Sequence, residues 1–304
     1  MGVTTPGRAL PLALVLSVPA AAWGAPAQGP PAAREPPRPP TFAVGVENVS
    51  VDVLVTRGGR PVEGLRAADF VLTDNGVAQR VEVVDQSGTA VDAVLVLDVS
   101  SSVRGERLDA LREAAHVFVE ALWPTDSITL LAFATELSLR ASAGAPRTEV
   151  HEAIDRLEGA GATTLVDAAY AALLLTDPRR GRPLVVVFSD GVDHGSWLTP
   201  EAAFATAKAE DAVVHYVEIE GALTFLERLA NETGGRGWSA RRWDTLPGAF
   251  VEALDEFKSR YRLRYEPTGV GREGWHKLDV RIAGKRGNVR ARPGYLVPGG
   301  RSGR

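Results

Sequence analysis

The chain has 304 residues, 45 % of them hydrophobic, a formal charge of −4 and no cysteine. That length can bury one full core and a smaller second one, while mild acidity spread through the sequence gives no basic field for nucleic acid. Disulfides and thiolate metal sites are excluded.

At the amino terminus, Arg8 precedes an apolar run from Ala9 to Ala22, and Ala22-Trp23-Gly24 offers small residues at the two positions a signal peptidase reads. The run falls short of the about 20 apolar residues that cross a bilayer, and Pro11 and Pro19 interrupt it. Residues 1–24 are therefore expected to be a cleaved signal, implying a secreted or periplasmic protein with no membrane span after cleavage. Residues 25–41 are mostly proline and alanine. Proline favours an extended, solvated chain of about 3.1 Å per residue, so a spacer is expected.

Residues 42–88 change to a period of two. Val49, Val51, Val53 and Val55 alternate with Ser50, Asp52 and Leu54 before the turn signal Gly58-Gly59. Phe70-Val71-Leu72 and Val81-Glu82-Val83-Val84 flank Asp74-Asn75-Gly76, whose last residues tolerate positive φ and predict a hairpin. About four strands are expected, too few to enclose a core alone.

Residues 89–260 alternate strand and helix patterns. Strands are expected at Val94 to Asp98, Ile128 to Phe133, Leu184 to Ser189 and Val213 to Val217, with a short edge strand at Leu137 to Ala141. Leu108, Leu111, Ala115, Phe118 and Leu122 fall on one helical face, as do Phe250, Leu254 and Phe257 in the last helix. This alternation predicts an α/β fold with a doubly wound, mostly parallel sheet covered on both sides. Residues 261–297 return to β alternation at Tyr261, Leu263 and Tyr265, then Leu278, Val280 and Ile282, then Val289. The two β flanks are expected to join into one small sandwich with the α/β unit inserted between them, leaving residues 298–304 as a disordered tail.

Chemistry concentrates at the carboxyl end of the first α/β strand. Val94-Leu95-Val96-Leu97 is continuously apolar, as in a strand buried on both faces, and ends in Asp98-Val99-Ser100-Ser101-Ser102. In open α/β sheets ligands bind at such strand ends, where the strand order reverses. The D-x-S-x-S pattern suggests a divalent cation held by oxygen. Gly161-Ala162-Thr163-Thr164-Leu165 and Val186-Val187-Phe188-Ser189-Asp190-Gly191 follow in order, each at a strand end or helix start.

Together these three segments resemble the metal-ion-dependent adhesion site of the von Willebrand factor type A fold. Val62-Glu63-Gly64-Leu65 with Asp69-Phe70, and Val289 to Tyr295, carry a further likeness to secreted bacterial proteins related to that family. The resemblance implies Mg²⁺, or Mn²⁺ or Ca²⁺, with Ser100, Ser102 and Thr163 as hydroxyl ligands and Asp98 and Asp190 acting mostly through bound water. Mg²⁺ asks for about six oxygens and usually keeps several waters. Three neutral hydroxyls leave such an ion short of negative charge, so the expected partner is a protein presenting an Asp or Glu side chain. A structural scaffold without metal-dependent binding is the alternative. A metal-dependent hydrolase fits less well: the position where an aspartyl phosphate-transfer enzyme places its acid is Ser100, and no G-x-S-x-G, P-loop or H-E-x-x-H is present. No enzymatic activity is expected.

Neighbouring residues have plainer readings. Thr164 is expected to cap a helix, Asp167 to be a buried hydrogen-bond partner, Asp126 a turn residue and His215 a satisfied core histidine. Asp193 and His194 could line the rim of the site. Trp197 is either an exposed anchor for a partner or packed under its loop.

Overall fold

The computed structural model describes residues 48–84, 89–219, 223–284 and 287–298. The expected signal and spacer, and the tail beyond residue 298, lie outside the described residues. In chain order the amino-terminal flank contributes β1 (Val49–Arg57), β2 (Arg60–Pro61), β3 (Phe70–Asp74), β4 (Val77–Gln79) and β5 (Glu82–Val84). The α/β unit follows with β6 (Val91–Asp98), α1 (Glu106–Ala121), β7 (Ser127–Phe133), β8 (Leu137–Ala141), α2 (Arg147–Asp155), α3 (Leu165–Leu175) and β9 (Arg182–Ser189). It continues through α4 (Pro200–Ala209), β10 (Val213–Ile219), α5 (Thr224–Thr233), β11 (Gly237–Ala240) and α6 (Leu246–Lys258). The last flank holds β12 (Tyr261–Tyr265), β13 (Gly274–Ile282), β14 (Asn288–Arg290) and β15 (Gly294–Val297).

The central sheet runs β11-β10-β9-β6-β7-β8, parallel except for the antiparallel edge strand β8. All eight residues of β6 and of β9 are buried, because helices cover both faces. Ala93, Leu95 and Leu97 share a core with α1, α2 and α6, whereas Val94 and Val96 pack on the side of α3, α4 and α5. The chain starts in the middle at β6, moves one way to β7 and then crosses to β9 on the other side. The strand order therefore reverses between β6 and β9, and a crevice opens at their carboxyl ends.

The flanks interleave rather than merely touch. One antiparallel sheet runs β14-β1-β12-β5 with β2 on β1, and the other runs β15-β13-β3-β4. Both mix amino- and carboxyl-terminal strands, and Val51, Val53, Phe70, Leu72, Leu263, Tyr265, Leu278 and Tyr295 share one core. Asp74 is buried there and satisfied by three donors: the hydroxyls of Tyr265 and Tyr295 and Nδ1 of His276. Such full pairing is what permits a carboxylate in an apolar core.

The hairpin prediction needs correcting. Asn75 and Gly76 do take positive φ, 46° and 83°, but the returning strand is β4, at residues 77–79. Val81 to Val84 leaves that hairpin, and β5 pairs with β12 in the opposite sheet. The short run Val77-Ala78-Gln79 carries little β signal, so the stronger alternation beyond it was the more visible partner.

Candidate metal centre

Asp98 is the last residue of β6 and is fully buried. Its Oδ1 accepts the Ser100 backbone N–H at 2.9 Å and its Oδ2 accepts the Ser189 hydroxyl at 2.6 Å. The β6–β9 register pairs Leu97 with Phe188, which sets Asp98 beside Ser189. Burial pushes the Asp98 carboxyl above its ordinary value; the hydrogen bonds from Ser189 and Ser100 work against that shift, and the negative charge of Asp190 adds to it. A carboxylate so placed is strongly favoured by a nearby cation.

Ser102 donates to Asp190 Oδ1 at 2.8 Å, and Ser100 Oγ stands 3.1 Å from Ser102 Oγ. Ser102 has one proton and gives it to Asp190, so its oxygen is free to accept from Ser100. The result is a chain of oxygens leading from the buried end of β6 to the loop after β9. Ser100 is buried and Ser102 exposed, so the chain opens outward.

The third segment is fastened to the first. Gly161 accepts from the Ser101 backbone N–H at 3.0 Å and from its hydroxyl at 2.7 Å, while the Ala160 N–H donates to Val99 O at 2.8 Å. Gly161 has φ +87°, and a Cβ there would come within 2.4 Å of Thr135 Oγ1, so only glycine fits. Thr163, the next residue but one, is buried, with its hydroxyl near Gly191: a Cβ built on that glycine would lie 3.7 Å from Thr163 Oγ1. All five anticipated residues, Asp98, Ser100, Ser102, Thr163 and Asp190, thus gather around the β6–β9 switch point.

The donor set suits a hard cation. It consists of hydroxyl and carboxylate oxygens, the ligands that Mg²⁺, Mn²⁺ and Ca²⁺ prefer. Among the described residues no group of three or more His, Cys, Asp or Glu side chains is arranged to hold an ion. Any cation here would therefore draw on Ser and Thr hydroxyls beside Asp98 and Asp190.

Of the neighbouring residues, Thr164 departs from expectation, whereas Asp167, Asp126 and His215 have the hydrogen-bond partners expected of them. Thr164 does occupy the position before α3, but its hydroxyl makes no cap and instead donates to Ala134 O at 2.7 Å, tying α3 to the end of β7. The free N–H groups of α3 are met from the loop after Asp190: Val166 N–H by Asp193 Oδ1 at 3.2 Å and Asp167 N–H by Ser196 Oγ at 3.1 Å. Asp167 accepts the backbone N–H groups of Trp197 and Leu198 at 2.9 Å each. Asp126 takes the N–H groups of Val91 and Trp123. His215 is buried, with Nε2 3.0 Å from Glu256 and Nδ1 accepting the Arg236 N–H. Ser189 is the site residue that sequence reasoning left without a role; its position in the motif was visible, but its partner depends on sheet register.

Residues 93–192 match the family model for the von Willebrand factor type A domain. Inter-alpha-trypsin inhibitor heavy chain H6 of Homo sapiens is 25 % identical over 213 residues, 60 % of this chain and 16 % of that one. A UPF0353 protein of Mycolicibacterium gilvum is 26 % identical over 227 residues, 62 % of this chain and 65 % of that one. The chain thus spans less than two thirds of either relative. Among solved structures, a von Willebrand factor type A protein from Catenulispora acidiphila superposes with TM-score 0.52 at 15 % identity, covering 80 % of this chain and 76 % of that one. Proximal thread matrix protein 1 of the mussel byssus, described with a zinc-occupied MIDAS motif, gives TM-score 0.51 at 17 % identity over 60 % of this chain and 49 % of its own. These two likenesses show the fold. With the family match lying across β6 to the Asp190 loop, the α/β unit of this chain has the von Willebrand factor type A fold.

Proposed function

We propose that the chain is an exported protein-binding module. In this reading Ser100, Ser102 and Thr163 hold a divalent cation, Mg²⁺ or Mn²⁺ or Ca²⁺, with Asp98 and Asp190 behind them, and a protein partner supplies an Asp or Glu side chain. The observation that carries it is the outward-opening oxygen chain Ser100–Ser102–Asp190 at the strand-order reversal, with the Thr163 loop fastened against it. When bound, the cation supplies positive charge that an outside carboxylate can ligate.

Each side chain has a part in that reading. Asp98 keeps negative charge beneath the site but out of reach, since Ser100 and Ser189 already engage its two oxygens. The same commitment makes it a poor nucleophile, which favours binding over hydrolysis. Ser100 and Ser102 offer oxygen without neutralising the ion, and Asp190 orients Ser102. The exported location rests on the signal-like composition of residues 1–24. Among the described residues, no helix is long and apolar enough to cross a membrane.

A pull-down from envelope extract tests the reading, with Mg²⁺ compared against chelator and wild type against Ser100→Ala. Partners retained only by the wild type in Mg²⁺ are expected. An identical retained set under all four conditions would leave the scaffold alternative in its place.

A further inference from the structure

Trp197 is 94 % exposed and Val192 64 % exposed, both on the loop that starts at Asp190. Exposure of one Trp so completely is unusual for a residue with so much apolar surface. A slack loop would explain it, but this one is pinned along its length. His194 and Gly195 donate their N–H groups to Thr163 O at 2.9 and 3.1 Å. Asp193 binds the start of α3 through Val166 N–H and also takes the Ser196 hydroxyl. Asp167 holds the backbone of Trp197 and Leu198.

The loop is thus anchored to the turn that delivers Thr163. Gly195 sits directly on the Thr163 carbonyl and Trp197 is two residues on, so the Trp197 backbone lies within about 10 Å of that carbonyl. A large ring on an already ordered backbone costs little further entropy to engage, which is the character of a binding hot spot. Two guanidinium groups stand against the backbone of Ser102 and Gly159. Arg107 Nη1 donates to Ser102 O at 3.4 Å and Arg104 Nε to Gly159 O at 3.0 Å, with Arg104 and Arg107 both exposed.

Building on the metal-site reading above, we propose that the loop 192–198 is a second subsite of the same interface. Its occupant is a peptide segment of the protein partner in which the acidic residue is flanked, within two or three positions, by an aromatic or aliphatic side chain that packs on Trp197. Further acidic residues of that segment face Arg104 and Arg107. Residues of an extended peptide are about 3.4 Å apart, so two or three positions span about 7–10 Å, comparable with the bound between the Thr163 carbonyl and the Trp197 backbone. The rim thereby selects among acidic partners, whereas the oxygen site alone would accept any accessible carboxylate.

The probe is an array of short synthetic peptides with one central Asp and systematically varied neighbours, bound to the full chain in Mg²⁺ and in chelator. Wild type should prefer peptides with an apolar neighbour by about tenfold or more. Trp197→Ala should abolish that preference yet keep Mg²⁺-dependent binding of the Asp peptides, and Trp197→Phe should restore most of it. Because the ring lies in solvent, its removal leaves the core intact. An unchanged neighbour preference in Trp197→Ala, with metal dependence retained, overturns this inference and leaves the metal-site reading standing. Binding that ignores Mg²⁺, or that survives Asp98→Ala, overturns both.

Discussion

Arg182, the first residue of β9, donates through Nε to Asp52 Oδ1 of β1 at 3.0 Å, with both side chains buried. This pair joins the sandwich to the α/β unit. Arg262 adds a bond to Asp52 Oδ2 at 3.0 Å, and the Arg182 guanidinium also lies over the Phe257 ring at 4.5 Å, near the end of α6. Burial opposes the charge on Asp52, but Arg182 and Arg262 outweigh it and hold its carboxyl below the usual carboxylate range. Removing one partner of a buried pair leaves an uncompensated charge and typically costs about 3–5 kcal/mol, whereas replacing both with apolar residues can be nearly neutral. Urea unfolding should show a loss of that size in Asp52→Leu, which removes the carboxylate facing buried Arg182, and a smaller loss in the double variant Asp52→Leu, Arg182→Met, because Arg262 keeps Asp211 at 2.7 Å. A double variant less stable than the single one would contradict the account of the junction.

Asp167 is predicted to be the fastener of the loop that carries Trp197. Hydrogen bonds to a charged acceptor contribute about 1.5–3 kcal/mol each. In Asp167→Ala, amide hydrogen exchange at Trp197 and Leu198 should therefore quicken by about tenfold or more, while exchange in β6 stays unchanged. Equal exchange in the variant and the wild type would mean that the loop is held by its other contacts alone.

His215 makes stability depend on pH. Its Nδ1 accepts the Arg236 N–H, so the ring proton is on Nε2, facing Glu256. Burial lowers its pKa; Glu256 opposes that shift, and Arg260 and Arg236 reinforce it. Below about pH 6.5 the unfolded chain takes up a proton that the folded ring refuses. The contribution is therefore complete above that pH and declines as pH falls towards the folded value, by at most about 1.4 kcal/mol per pH unit. Between about pH 7.5 and about pH 5.5, wild type should lose more unfolding free energy than His215→Gln. Parallel pH profiles would refute the assignment.

Much of the fold is legible in the chain because burial leaves a direct mark. Val94 to Leu97 reads as a central strand since helices cover both its faces, and the alternating valines of β1 read as a sandwich strand. Weaker marks were missed: Gly237-Trp238-Ser239-Ala240 forms β11 beside β10, yet its glycine, serine and alanine carry little β propensity. At the site, residue types and spacing pointed to Asp98, Ser100, Ser102, Thr163 and Asp190, and the fold gathers those side chains. What spacing could not give is pairing across loops. Ser189 meets Asp98 through sheet register, and Thr164 reaches Ala134, thirty residues away in sequence, although its position alone suggested a cap. Sequence left Trp197 either buried or exposed, and the hydrogen bonds of Asp167 and Asp193 account for its exposure.

The cation itself is tested most directly by the thermal unfolding midpoint with and without saturating Mg²⁺, in wild type, Ser102→Ala and Asp190→Ala. Ligand at about a hundred times its dissociation constant stabilises by about 2.7 kcal/mol, which for a chain of this size raises the midpoint by about 4 °C. The account predicts that rise in the wild type and its loss in both variants. A wild-type midpoint indifferent to Mg²⁺, or an equal rise in all three proteins, would contradict it.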